Sequence, residues 1–70
     1  MTKTDHMFSQ YDKVKLRKDR PEDGLRAGSQ GYVVEAYSSP HQGYDVEFLD
    51  ENGRTLALVT LAADDLEKVQ

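Results

Sequence analysis

A chain of 70 residues with a net charge of −4 and 37% hydrophobic residues has room for one domain and one small core. A domain of this size buries only about 60% of its unfolded surface, and with no cysteine it has neither a disulfide nor a thiolate metal site to reinforce it. No run approaches the roughly 20 apolar residues of a membrane helix, and MTKTDHMFSQ lacks the apolar stretch of a signal peptide. The expectation is a cytoplasmic protein without membrane contact.

In chain order, residues 1–7 read as a polar tail without a function of its own, and residues 8–70 as the domain, the patterned sequence beginning at Phe8. YDKVKLRK alternates, with Val14 and Leu16 on one side and Lys13, Lys15 and Arg17 on the other, a period of two that predicts a half-buried strand. DRPEDGLRAGSQG carries the breakers Pro21 and Gly24 and reads as a long loop folded over the side of the domain, anchored by Leu25. GYVVEAY, residues 31–37, is a second strand. SSPHQG is a connector in which Pro40 cannot donate a ladder hydrogen bond. YDVEFLD is a third strand, with Tyr44, Val46 and Phe48 on one face and Asp45 and Glu47 on the other. Asn52-Gly53 tolerates the positive φ of a tight hairpin, RTLALVTL is a fourth strand, and AADDLEKV reads as one helical turn around Asp64–Leu66 and a closing strand that buries Val69. Short strands separated by turn signals predict a small all-β barrel. Five strands, a long first loop and a helical turn before the last strand describe an SH3-like barrel.

The glycine pair of LRAGSQGYVVEAY invites comparison with a phosphate loop. Phosphate loops place their glycines between a strand and a helix, in G-x-x-x-x-G-K-[ST] or G-x-G-x-x-G spacing. Here the spacing is G-x-x-G and a strand follows, so no helix N-terminus is available to hold an anion. The pair is expected to be architectural. Gly28 takes a turn conformation closed to other residues, and Gly31 opens a strand where another backbone comes close.

The L-x-x-G-x-x-G-x-V arrangement resembles the turn-strand unit of KOW and other SH3-like modules. Across residues 8–69 the chain resembles a short bacterial family of SH3-like domains still carried as a domain of unknown function. Some members of that family lie beside toxin-like genes. The resemblance implies a stand-alone barrel and an antitoxin or immunity role, and it transfers no functional residues.

Enzyme chemistry finds little support in the residues. His6 and His41 stand far apart. Asp50-Glu51 and Asp64-Asp65 are sequence neighbours of the kind that cap turns, and neither DEN nor DDLE has calcium-loop spacing. No catalytic residue, cofactor or metal is expected.

Charge is unevenly spread: residues 1–20 carry a net +3 and residues 21–70 a net −7. An acidic body disfavours nucleic acid, and the basic segment DKVKLRKDR has no outward aromatic interleaved to stack bases. The richer signal is an excess of apolar residues. If Glu35 faces water, Val34 and Ala36 turn inward and Val33 and Tyr37 share the outer face. In the third strand Leu49 follows Asp45 and Glu47 outward. The fourth strand is apolar on both sides, Leu56 and Leu58 against Ala57, Val59 and Leu61. A small barrel has one interior, so one of these sides needs cover, from the long first loop and the tail or from a partner.

Val33, Tyr37 and Leu49 with Glu35, Asp45 and Glu47 around them therefore form the candidate partner site, an apolar patch rimmed by charge. The expected function is non-catalytic protein binding. The partner would be another protein, such as a basic toxin or an enzyme encoded nearby, and a homodimer is compatible with the sequence. The alternatives are a KOW-like nucleic-acid or ribosome-associated module and an accessory subunit that stabilises a larger enzyme.

Overall fold

The strictest alternation in the sequence, Tyr44 to Phe48, lies within the strand that organises the sheet. In the computed structural model, which describes residues 8–39 and 41–69, five strands form one antiparallel sheet. They are β1 (Lys13–Leu16), β2 (Gln30–Tyr37), β3 (Gly43–Leu49), β4 (Thr55–Leu61) and β5 (Leu66–Lys68), in the order β4-β3-β2-β1-β5. Two 3-10 turns, Pro21–Asp23 and Ala63–Asp65, complete the regular structure, and no α-helix occurs among the described residues. All-β architecture, strand number, the long first loop and the single helical turn before the last strand agree with the expectation from sequence. The tail over residues 1–7 and Pro40 lie outside the described residues.

One side of the sheet holds the core. Tyr44, Val46 and Phe48 of β3 are completely buried, joined by Val14 and Leu16 of β1, Leu61 of β4 and Leu66 of β5. Phe8 packs edge-on against Tyr44, ring centroids 5.3 Å apart, so the core begins where the patterned sequence begins. Burying each such side chain contributes roughly 1.5–3 kcal/mol, the main favourable term available to so short a chain.

The first loop, residues 17–29, is tethered rather than loose. Leu25 is buried in the core, as expected. Arg20 and Leu25 form an isolated antiparallel bridge around the first 3-10 turn, closed by Gly24 in the left-handed region. The Asp19 carboxylate accepts the Ala27 N–H at 2.8 Å. At the far end Gly28, at φ +91°, donates its N–H to the Leu16 carbonyl, which no side-chain-bearing residue would do without strain. A Cβ on Gly31 would fall on the Glu47 carbonyl and lie 3.0 Å from the Phe48 Cα. Both glycines are thus turn and close-approach residues, as their spacing predicts.

The strand β1 is internal, with β2 on one side and β5 on the other. Two expectations are corrected. In the closing strand it is Leu66, not Val69, that is buried. The helical turn ends at Asp65, one residue earlier than expected, so Leu66 enters the strand opposite Leu16, leaving Val69 half-buried. Val33 does not face outward but is wholly buried. The cause is a β-bulge: Val33 pairs with Val46 and Glu35 with Asp45, so Val34 is an extra residue and the alternation slips by one.

Candidate functional site: the outer face of β2, β3 and β4

The bulge decides which side chains share the outer face. Before it, Gly31 and Val33 point into the core and Tyr32 points out; after it, Glu35 and Tyr37 point out and Ala36 packs against the core. The registers then set Tyr32 beside Glu47 and Glu47 beside Leu58, and in the next row Glu35 beside Asp45 and Asp45 beside Thr60. Five of the six sequence-derived site residues, Glu35, Tyr37, Asp45, Glu47 and Leu49, are therefore brought to one surface. Val33 is not.

Hydrogen bonds hold most of these groups in place. Asp45 accepts from the Tyr37 hydroxyl at 2.6 Å through one carboxylate oxygen and from the Thr60 hydroxyl at 2.5 Å through the other. The Thr55 hydroxyl donates to Glu47. The Glu35 carboxylate has no hydrogen-bond or ion-pair partner among the described residues. The hydrogen bond to Asp45 raises the Tyr37 hydroxyl above its ordinary pKa, helped by partial desolvation and by the negative charges of Asp45 and Glu35. Tyr37 is thus a neutral donor at physiological pH, suited to fixing a carboxylate and unsuited to acting as a base.

Apolar surface lies against these acids. Tyr32 and Tyr37 remain 40% and 39% exposed, and Leu56 and Leu58 57% and 64%. The first loop does not cover them, because Leu25 inserts into the core on the opposite side. At one end of the face Tyr37, His41, Asp45 and Thr60 line a shallow hollow of about 360 Å³. At the other, Lys13, Tyr32, Leu49 and Asp50 line one of about 190 Å³.

Sequence reasoning missed Tyr32, although a signal was present. A strand that places Gly31 against a neighbouring backbone must turn Val33 the same way and Tyr32 the other. Reconciling that with an outward Glu35 requires one extra residue between them.

Several of the remaining acids serve the backbone. Asp50 accepts the N–H groups of Asn52 and Arg54 at 2.8 and 2.9 Å and so organises the β3–β4 turn, where Gly53 has φ +82°. Asp65 accepts the Ala62 N–H at 3.2 Å, and Asp12 that of Ser9 at 2.8 Å. Among the described residues no group of three or more His, Cys, Asp or Glu is arranged to hold a metal ion. Several basic groups are also engaged. The Arg17 guanidinium donates to the Leu66 carbonyl at 2.9 Å, and Arg20 is paired with Asp23 at 2.9 Å and Glu22 at 3.5 Å.

A family model described as Domain of unknown function (DUF4926) matches residues 10–68. That span includes every strand and both 3-10 turns. No curated protein and no solved structure matches the chain. The chain belongs to the DUF4926 family.

Proposed function

We propose that this family member is a non-catalytic protein-binding module that docks a basic partner protein on the outer face of β2, β3 and β4. The observation that carries the reading is one surface on which exposed Tyr32, Tyr37, Leu56 and Leu58 lie among the carboxylates of Glu35, Asp45 and Glu47. Apolar side chains of this size supply contact area, and aromatic residues are the usual anchors of an interface. The acids, already oriented by Tyr37, Thr55 and Thr60, favour a partner of opposite charge and speed its encounter.

In its most specific form the protein is a bacterial, cytoplasmic antitoxin or immunity protein that covers the active site of a basic toxin, resting on an acidic SH3-like barrel and its family resemblance. A nucleic-acid module would need the basic strand for phosphates, yet Arg17 and Arg20 are directed at the protein's own carbonyl and carboxylate groups.

Co-expression with the product of the adjacent gene tests the reading. A complex should be recovered, and its association rate should fall as salt rises. The double variant Tyr37→Ala/Glu35→Lys should lose at least about tenfold in affinity, the scale of removing a single interface anchor. A folded double variant that binds as well as the parent would sink the proposal.

A further inference from the structure

The sheet has two edges, and only one of them is blunted. The β5 edge is three residues long, with Glu67 and Lys68 exposed. The β4 edge is seven residues, Thr55-Leu56-Ala57-Leu58-Val59-Thr60-Leu61, without a charge, a proline or a glycine. Among the described strands β4 pairs only with β3, so one of its sides presents ladder groups with no strand opposite. Natural sheets interrupt such an edge with Lys, Pro, a bulge that twists it away or a covering loop. Here the register shift at the start of β4 leaves Leu56 as an extra residue beside Leu49, and the regular edge is Ala57 to Leu61.

From this edge we infer a homodimer in which β4 pairs antiparallel with β4 of a second copy, joining two five-stranded sheets into one. A second copy is the occupant that the edge fits. With the two-fold axis through Leu58, Leu58 meets Leu58 of the other copy and Ala57 meets Val59, within the regular part of the strand. The segment is therefore self-complementary, apolar on both sides and free of like-charge clashes. Just outside the strand the charges are complementary as well. Arg54 of one copy comes to the same end of the paired strands as exposed Asp64 of the other, and Arg54 has no ion-pair partner among the described residues of its own chain. The acids of the outer face do not oppose the pairing. The two β3 strands would be three strand spacings apart, about 14 Å, beyond the screening length of about 8 Å at physiological salt. A single strand pair buries less than the roughly 800 Å² per partner of a standard interface, so the dimer forms and dissociates with concentration.

Sedimentation velocity of the full chain over a concentration series tests this. The wild type should convert from monomer to dimer within the range up to about 1 mM, the weak end of specific association. Leu58→Lys should weaken the dimer at least tenfold while keeping the far-UV spectrum and melting temperature, because Leu58 is exposed and lies opposite Glu47. Arg54→Glu and Asp64→Arg should each weaken it, and the double reversal should restore it. Tyr37→Ala/Glu35→Lys should leave it unchanged, which separates this edge from the outer-face site. A wild type that stays monomeric throughout, or a folded Leu58→Lys variant that dimerises as well as the parent, overturns the inference.

Discussion

The two faces of β3 are made by alternate residues of one short strand, yet they follow different rules. Tyr44, Val46 and Phe48 face the core and are completely buried. Asp45 and Glu47, between them, carry charge on the open side and are oriented by hydroxyls from β2 and β4. The inner face is set by volume and exclusion of water, and the outer by where a few polar atoms point. Substitutions inside should therefore register as stability, and substitutions outside as titration or binding.

The largest break in that comparison comes from Phe48→Ala. Emptying a wholly buried aromatic position costs about 3–5 kcal/mol, comparable with the entire stability of a small domain. Loss of the cooperative thermal transition by circular dichroism is the expected result, and a melting curve close to the wild type would refute the packing account. Next is Gly31→Ala, where the added methyl meets the β3 backbone at Glu47 and Phe48 rather than a movable side chain. Overpacking of this kind costs roughly 1–3 kcal/mol, read as a lower urea midpoint.

Asp50→Ala sharpens the boundary between the faces, since Asp50 sits in the turn where β3 leaves the sheet. Losing its two backbone hydrogen bonds should cost about 1 kcal/mol, with the fold retained and the loss measurable by urea denaturation. The smallest effect is spectroscopic. In Asp45→Asn the Tyr37 hydroxyl loses its charged acceptor and should ionise at lower pH, seen as tyrosinate absorbance appearing earlier than in the wild type. Because the folded-state pKa of Tyr37 lies above the ordinary 10.0, its contribution to stability is complete below that pH. The contribution disappears as pH rises through the folded-state value. Superimposable titrations of the two proteins would remove Asp45 as the cause.

Much of this was legible in the sequence because period-two alternation is a local property. The β3 pattern named its core-facing and outward-facing residues correctly, and Leu56 and Leu58 separated in exposure from Ala57, Val59 and Leu61. The glycines at 28 and 31 were legible too, since the backbone geometry they serve excludes other residues. Val33 was misplaced because a bulge leaves the composition of a strand untouched and changes only its count against a neighbour. Tyr32 was lost with it, and the face is more aromatic than the sequence reading allowed. Val69 reads from sequence as the closing core residue because the end of a short 3-10 turn is set by packing of Leu66 against Leu16, a contact about fifty positions apart along the chain. The partner was not legible because charge and exposed area define a class of surface and not an identity.

The absence of any charge in Thr55–Leu61 also bears on how the protein fails. A seven-residue segment rich in leucine, valine and threonine, with no proline or glycine, has the composition of a cross-β zipper. In the native chain one side of it is held by β3, whose Asp45 and Glu47 lie opposite Thr60 and Leu58. When heat or a core substitution frees β4, identical segments from many chains can stack. Thermal unfolding is then expected to be reversible in dilute solution and to end in fibrillar precipitate when concentrated, with Leu58→Lys acting as a gatekeeper substitution.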